Sequence, residues 1–393
     1  MFWGDPGFVA NIFRWFFSLL DSIGYFFLSG IFNIFFLIAS AEIFQGDLIS
    51  TFYSRVQLIL SVLMIFNLSF VILQIIVNPD MYKDKQKGAG SIVKRVALMI
   101  VMLTLIAPIN ISDTDGDHLN EQIKNNGILF GFLYQIQNSV VNDNILGKLI
   151  LGSDIDTLDS QNANGLELNG GGDIGNILAA QISYAFITPA VNEGYEDVEL
   201  TEDNVDAAAV CPDEARQYLR KPTASSLISH INDTCGATFS KEYAFNYIGF
   251  GGIICAIVMT IIIIGFTLDI AVRAIKLALL RLIAPIPIIS YISPGQEKNG
   301  AFDNWVKTLT STYLSLFLRL IIIYFGIYLI ILLRSPDEGL VNWVSTGSII
   351  ENALANIFVI IGILVFMKEA PKFFQDMLGL KVMVSYLAVL ELC

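Results

Sequence analysis

Arg319 lies inside an apolar run of membrane length, and the polar residues before it keep step with it: Thr308, Thr312 and Ser315 stand at offsets 0, 4 and 7, and Arg319 at 11. With Gly326 further on, this spacing puts all five on one face of an α-helix. Two readings fit a polar face in a membrane span. Either the residues line a hydrated path, or the hydroxyls bond their own backbone and a neighbouring helix while the arginine snorkels. An arginine at bilayer depth costs about 2.5 to 3.5 kcal/mol on insertion scales, so it should face water or a partner. Asp269, Asp303 and Glu351 are the candidate partners.

The segment before that helix must position it. Residues 273–292 contain Pro285 and Pro287 in an apolar run, RAIKLALLRLIAPIPIISYI. Each proline removes a backbone donor and disfavours a helical conformation in the residue before it, so the run cannot be one straight helix. Freed carbonyls at membrane depth need protein or water around them, which places the break inside a bundle or beside a cavity. A polar elbow follows, ending in Phe302, Asp303, Asn304 and Trp305. On this reading Pro285, Pro287, Asp303, Trp305, Thr312, Ser315 and Arg319 line or gate a path, and Trp305 equally suits simple interfacial anchoring.

Composition sets the class. Of 393 residues, 54% are apolar and 15% charged, against about 25% charged in soluble domains, so the chain is an all-α polytopic membrane protein. The net charge of −13 sits in one place: residues 111–246 hold 6 Lys and Arg against 21 Asp and Glu. That is a water-soluble, mostly helical acidic insert in a nearly neutral membrane body. A basic nucleic-acid surface is not part of the composition.

Taken in order, residues 1–21 form an interfacial amphipathic helix, with Asn11, Arg14, Ser18 and Asp21 on its wet side. Residues 22–110 form an N-terminal membrane region with spans near 22–40, 56–77 and 93–109. The loop holding Lys83, Lys85, Lys87, Lys94 and Arg95 is cytoplasmic by the positive-inside rule, which puts the N-terminus inside and the insert at 111–246 outside. Residues 247–367 form the C-terminal membrane region, with a span at 247–271, the broken segment at 277–292 and two further spans. Residues 368–393 return as a cytoplasmic tail. The charges agree best with about six spans plus one re-entrant or interfacial segment, and seven spans is the alternative.

Two smaller features could carry chemistry. Asp113, Asp115 and Asp117 occupy positions 1, 3 and 5 of a loop, as a Ca²⁺ ion requires, but His118 and Lys124 stand where an EF-hand places glycine and glutamate. The alternative is a turn capping a helix that begins near Leu119. Cys211 and Cys235 both fall in the insert and can pair if it faces an oxidising space; their spacing fits no zinc signature. With no Walker motif, no nucleophile beside a base and no metal cluster beyond the aspartate loop, the chain reads as a non-enzyme without a cofactor.

Residues 247–333 combine a span, a basic patch, the apolar Leu282-Ile283-Ala284-Pro285, a polar stretch, then Phe302-Asp303-Asn304-Trp305 leading into another span. This pattern resembles the TrbL-like polytopic component of type IV secretion and conjugation machines. The resemblance implies a platform or channel subunit of the bacterial inner membrane that helps DNA or protein cargo across, acting as a homo-oligomer with separate ATPases and a coupling protein. Ala284, where the family carries glycine, and the second proline at 287 depart from the pattern. A small-solute or ion transporter, and a membrane scaffold docking extracellular partners through the acidic insert, are the alternative readings.

Overall fold

The computed structural model describes residues 8–41, 89–106, 118–151, 172–195, 198, 200–220, 222–236, 242–291, 300–332 and 349–377, with single positions between 55 and 77. These are mostly helical. Helix α1 spans Phe8–Ser40, α2 Ala89–Ile106, α3 His118–Asn142, α4 Ile145–Leu151 and α5 Gly172–Tyr184. A short-element region follows: β1 (Ile187–Pro189), α6 (Val205–Ala208), α7 (Pro212–Leu219), α8 (Ala224–Ser229), β2 (Thr234–Cys235), β3 (Glu242–Tyr243) and β4 (Phe245–Tyr247). The last helices are α9 (Gly249–Ile283), α10 (Pro285–Ser290), α11 (Ala301–Leu332) and α12 (Ile349–Met377).

Three helices among the described residues are long and apolar enough to cross a membrane: Asn11–Ser40, Gly249–Ile283 and Ala301–Leu332. Helices α2 and α12 occupy most of the stretches expected as the third and last spans, and the expected span at 56–77 falls largely outside the described residues.

Small residues set the closest helix pairing. A Cβ at Gly249 would meet Phe17 Cβ at 2.8 Å, one at Gly252 would meet Asp21 Oδ2 at 2.9 Å, and one at Gly24 would lie 3.1 Å from Ala256 Cβ. As α1 advances from 17 to 24, α9 advances from 249 to 256, so the two helices run parallel. Glycine permits this approach because no side chain holds the backbones apart. Helix α5 runs the other way along α1, with Gly175 N donating to Asn33 Oδ1 (3.0 Å) near its start and Phe186, just past its end, beside Gly251. Helix α11 is antiparallel to α9, and Gly326 gives Met367 of α12 its place.

This geometry corrects several expectations. Residues 8–40 are one uninterrupted helix, so there is no separate interfacial helix ending at 21. Its stripe of Arg14, Ser18 and Asp21 is buried, because the strand region covers it. Arg14 donates to the carbonyls of Ile231 (2.7 Å) and Phe245 (3.0 Å) and lies over the Tyr243 ring at 3.9 Å. The parallel pairing also puts the start of α1 at the same end of the bundle as β4. A cytoplasmic N-terminus and an extracytoplasmic strand region therefore cannot both hold.

Nor is 111–246 a single body outside the bundle. Helix α3, turned at Gly127 (φ 76°), packs among the long helices, where Gln137 Nε2 donates to Ala39 O at 2.6 Å. The insert's separate part begins near Ile187 and is held by two antiparallel strand pairs, β1 with β4 and β2 with β3, rather than by helices alone. Within it the Cys211 and Cys235 sulfurs are bonded, with Cα atoms 5.8 Å apart.

The break expected across 277–292 is narrower. Helix α9 continues to Ile283, and only Ala284 separates it from α10. Ala284 keeps helical angles (φ −48°, ψ −41°) in spite of the proline after it, and its N–H bonds Arg281 O at 3.2 Å in a tightened last turn. The Phe302–Trp305 motif is likewise the first turn of α11, not an elbow, and Asp303 there suits the positive end of the helix dipole.

The parallel register predicts that Gly24→Cys with Ala256→Cys, in a Cys255→Ser background, crosslinks on oxidation, since the Cβ separation is close to that of a disulfide. Mass spectrometry of the oxidised protein should show the linked peptides; an absent crosslink there, with one formed between Gly24→Cys and a residue at the C-terminal end of α9, would contradict parallel packing.

Candidate functional site: a buried polar junction between four helices

Arg273 is 1% exposed in the middle of the bundle. A buried guanidinium must satisfy its donors within the protein, and two neighbouring helices do this. Its Nε donates to Thr312 O (3.0 Å) of α11, and Nη2 donates to Gln137 Oε1 (3.0 Å) of α3 and to Tyr313 O at 3.4 Å. Its charge also sits 5.8 Å from the centre of the Tyr313 ring. Tyr313 OH donates back to Leu133 O of α3 at 2.7 Å. Since Gln137 also holds the Ala39 carbonyl, one side chain joins α1, α3 and α9, and the arginine adds α11.

One turn along α9, Asp269 (7% exposed) faces Arg319 (3% exposed), with Arg319 Nη2 at 3.0 Å from Asp269 Oδ2. Of the three candidate partners the structure brings Asp269 to Arg319. Asp303 instead pairs with Lys307 at 2.7 Å at the surface, and the Glu351 side chain lies outside the described residues. Arg319 Nη1 also donates to Ser315 O at 2.9 Å, so the arginine is tied to its own helix and does not snorkel.

The expected polar stripe divides. Thr308 is exposed, and its hydroxyl bonds Asn304 O at 2.7 Å. Thr312, Ser315 and Arg319 are buried, and the Ser315 hydroxyl donates to Thr312 O at 2.7 Å. Within this chain that part of the face is closed by α9 and α3. Arg319 Nε and Thr312 Oγ1 have no hydrogen-bond partner among the described residues. Asp269 and Arg273 both turn inward.

Pro285, Pro287 and Trp305 form a second site at the cytoplasm-facing end of the sequence reading. Both prolines are buried. Because Ala284 N–H turns to Arg281 O, the Leu280 carbonyl loses its usual helical donor, and Trp305 Nε1 donates to it at 3.0 Å. The indole is 6% exposed and stacks on Phe302, with centroids 6.1 Å apart, and Phe302 in turn meets Tyr291. Trp305 thus closes a break that lipid could not satisfy. Met99, Leu277, Ala284, Ile288 and Leu309 pack around it as a second core.

The loop of Asp113, Asp115 and Asp117 lies outside the described residues. Among the described residues no group of three or more His, Cys, Asp or Glu is placed to hold a metal. Sequence reasoning missed Gln137 and the inward turn of Arg273. Neither left a periodic signal, although an arginine four residues after an aspartate in an apolar helix was the available clue.

Replacing Trp305 by phenylalanine keeps the ring packing but strands the Leu280 carbonyl, and should cost about 1 to 3 kcal/mol in detergent unfolding. A loss below about 0.5 kcal/mol would show that the indole N–H does not hold the break.

Compared with known protein families, residues 219–385 match the one described as conjugal transfer protein TrbL. No curated protein and no solved structure matches the chain. The matched residues include Asp269, Arg273, the Pro285–Pro287 break, Trp305 and Arg319, and over this stretch the chain is TrbL-like.

Proposed function

We propose that this chain is an inner-membrane platform or channel subunit of a conjugation or type IV secretion machine, assembled as a homo-oligomer around or beside the path of DNA or protein cargo. The observation that carries this reading is the match to the TrbL conjugal transfer family over residues 219–385, which contain α9 to α12 and the buried charges that lock α9 to α11. The chain acts without catalysing a reaction, and separate ATPases and a coupling protein supply energy and cargo. On this reading Thr312, Ser315 and Arg319 act by fixing α11 against α9, and Pro285, Pro287 and Trp305 form the joint at the inner end.

Orientation follows from charge and chemistry. Lys276, Arg281 and Lys307 lie toward the α10 end of the bundle, which the positive-inside rule assigns to the cytoplasm. The disulfide-bonded strand region lies at the opposite end and faces the oxidising side. Parallel packing then sends the start of α1 to that same outer side.

The test is purification in detergent from native membranes, with mass spectrometry of the proteins recovered. Recovery of a transfer ATPase or coupling protein, together with loss of conjugative transfer when the chain is deleted, is the expected result. A lone protein that a small solute stabilises, with transfer unaffected by deletion, would overturn the reading in favour of a transporter.

A further inference from the structure

Asp21 lies in the first span, 1% exposed, at the place where α1 touches Gly252 of α9. One hydrogen bond reaches it: Tyr247 OH, at the end of β4, donates to Oδ2 at 2.5 Å. Its other oxygen, Oδ1, has no partner among the described residues, and neither has the hydroxyl of Tyr25, one turn along α1 and 2% exposed. Phe17, Leu28, Phe186 and Met259 belong to the apolar core that surrounds this pocket of polar atoms.

The groups that could compensate a charge here are few. On α1, Arg14 stands two turns away and is committed to Ile231 O, Phe245 O and the Tyr243 ring. From α9 the titratable neighbour is Cys255, and from α1 and β4 they are Tyr25 and Tyr247, all neutral near neutral pH. After α8, His230 and Asp233 pair with each other at 2.7 Å and are partly exposed. A carboxylate at this position would thus carry an unpaired charge into an apolar helix interface, which a buried acid avoids by holding its proton.

We propose that Asp21 is a proton-binding site, a neutral carboxylic acid that holds its proton on Oδ1 while Oδ2 accepts from Tyr247. Losing the proton places a negative charge against the Gly252 backbone, where α1 and α9 pack too closely to admit water, so ionisation loosens the outer half of α1 from α9 and from the strand region that grips Arg14. This site lies outside the junction at Arg273 and does not depend on the proposed function.

The sign of the pH dependence follows. An acid that holds its proton in the folded state and loses it when unfolded makes folding less favourable as pH rises through that window. The full-length protein in detergent should lose thermal stability, relative to Asp21→Asn, as pH rises above about 4, the ordinary carboxyl value. Asparagine keeps an oxygen to accept from Tyr247 and has no titrating proton. Infrared spectra of the wild type should contain a protonated-carboxyl band that shifts in heavy water, disappears in Asp21→Asn and moves in Asp21→Glu. If Asp21→Asn fails to fold, the wild-type band and its move in Asp21→Glu decide. Parallel pH profiles of the two folded proteins, or a band that neither substitution alters, would overturn the proposal.

Discussion

Three charges buried in an apolar bundle constrain everything around them. Arg273, Asp269 and Arg319 sit within one turn of each other on α9 and on the facing part of α11, and all three are buried. Removing one member of such a set commonly costs about 3 to 5 kcal/mol, because the survivor is left buried and unpaired. Their geometry therefore dictates how far α11 can slide along α9. It also explains why α3, otherwise a moderately polar helix, lies inside the bundle: its Gln137 supplies the acceptor that the second arginine requires, and passes the constraint to the end of α1 through Ala39.

The same logic repeats at the other end with different residues. Arg14 is also fully buried; its Nη2 donates to the carbonyls of Ile231 and Phe245 and its charge lies over the face of Tyr243, while Nε has no partner among the described residues. The strand region is thereby a clamp on the N-terminal half of α1, itself closed by the Cys211–Cys235 bond. The chain built this way has two fixed points, the clamp and the junction, with the proline break and Trp305 beyond the second.

Much of the core was legible from residue types and spacing. Arg319 announced itself by its cost in a membrane, and Asp269 stood among its three candidate partners. The prolines marked the break to within a few residues, and the Leu282–Pro285 and Phe302–Trp305 motifs pointed to the family that residues 219–385 match. Periodicity failed where it could say only that a face was polar. Asn11, Arg14, Ser18 and Asp21 have the spacing of a helix lying on a membrane surface; nothing local shows that strands from more than two hundred residues away cover that face. Gln137 looks like a solvated residue for the same reason. Ala284 kept its helical angles because losing two donors at Pro285 and Pro287 costs little once Trp305 supplies one from another helix.

The central claim is that the Asp269–Arg319 pair locks α9 to α11. A double-mutant cycle tests it most directly: Asp269→Leu, Arg319→Leu and the double variant, each unfolded from the same detergent. The account predicts that each single change is strongly destabilising and that the double is less so than their sum, with a coupling energy of about 2 kcal/mol or more. Additive losses would mean that the two residues do not stabilise each other, and would contradict it.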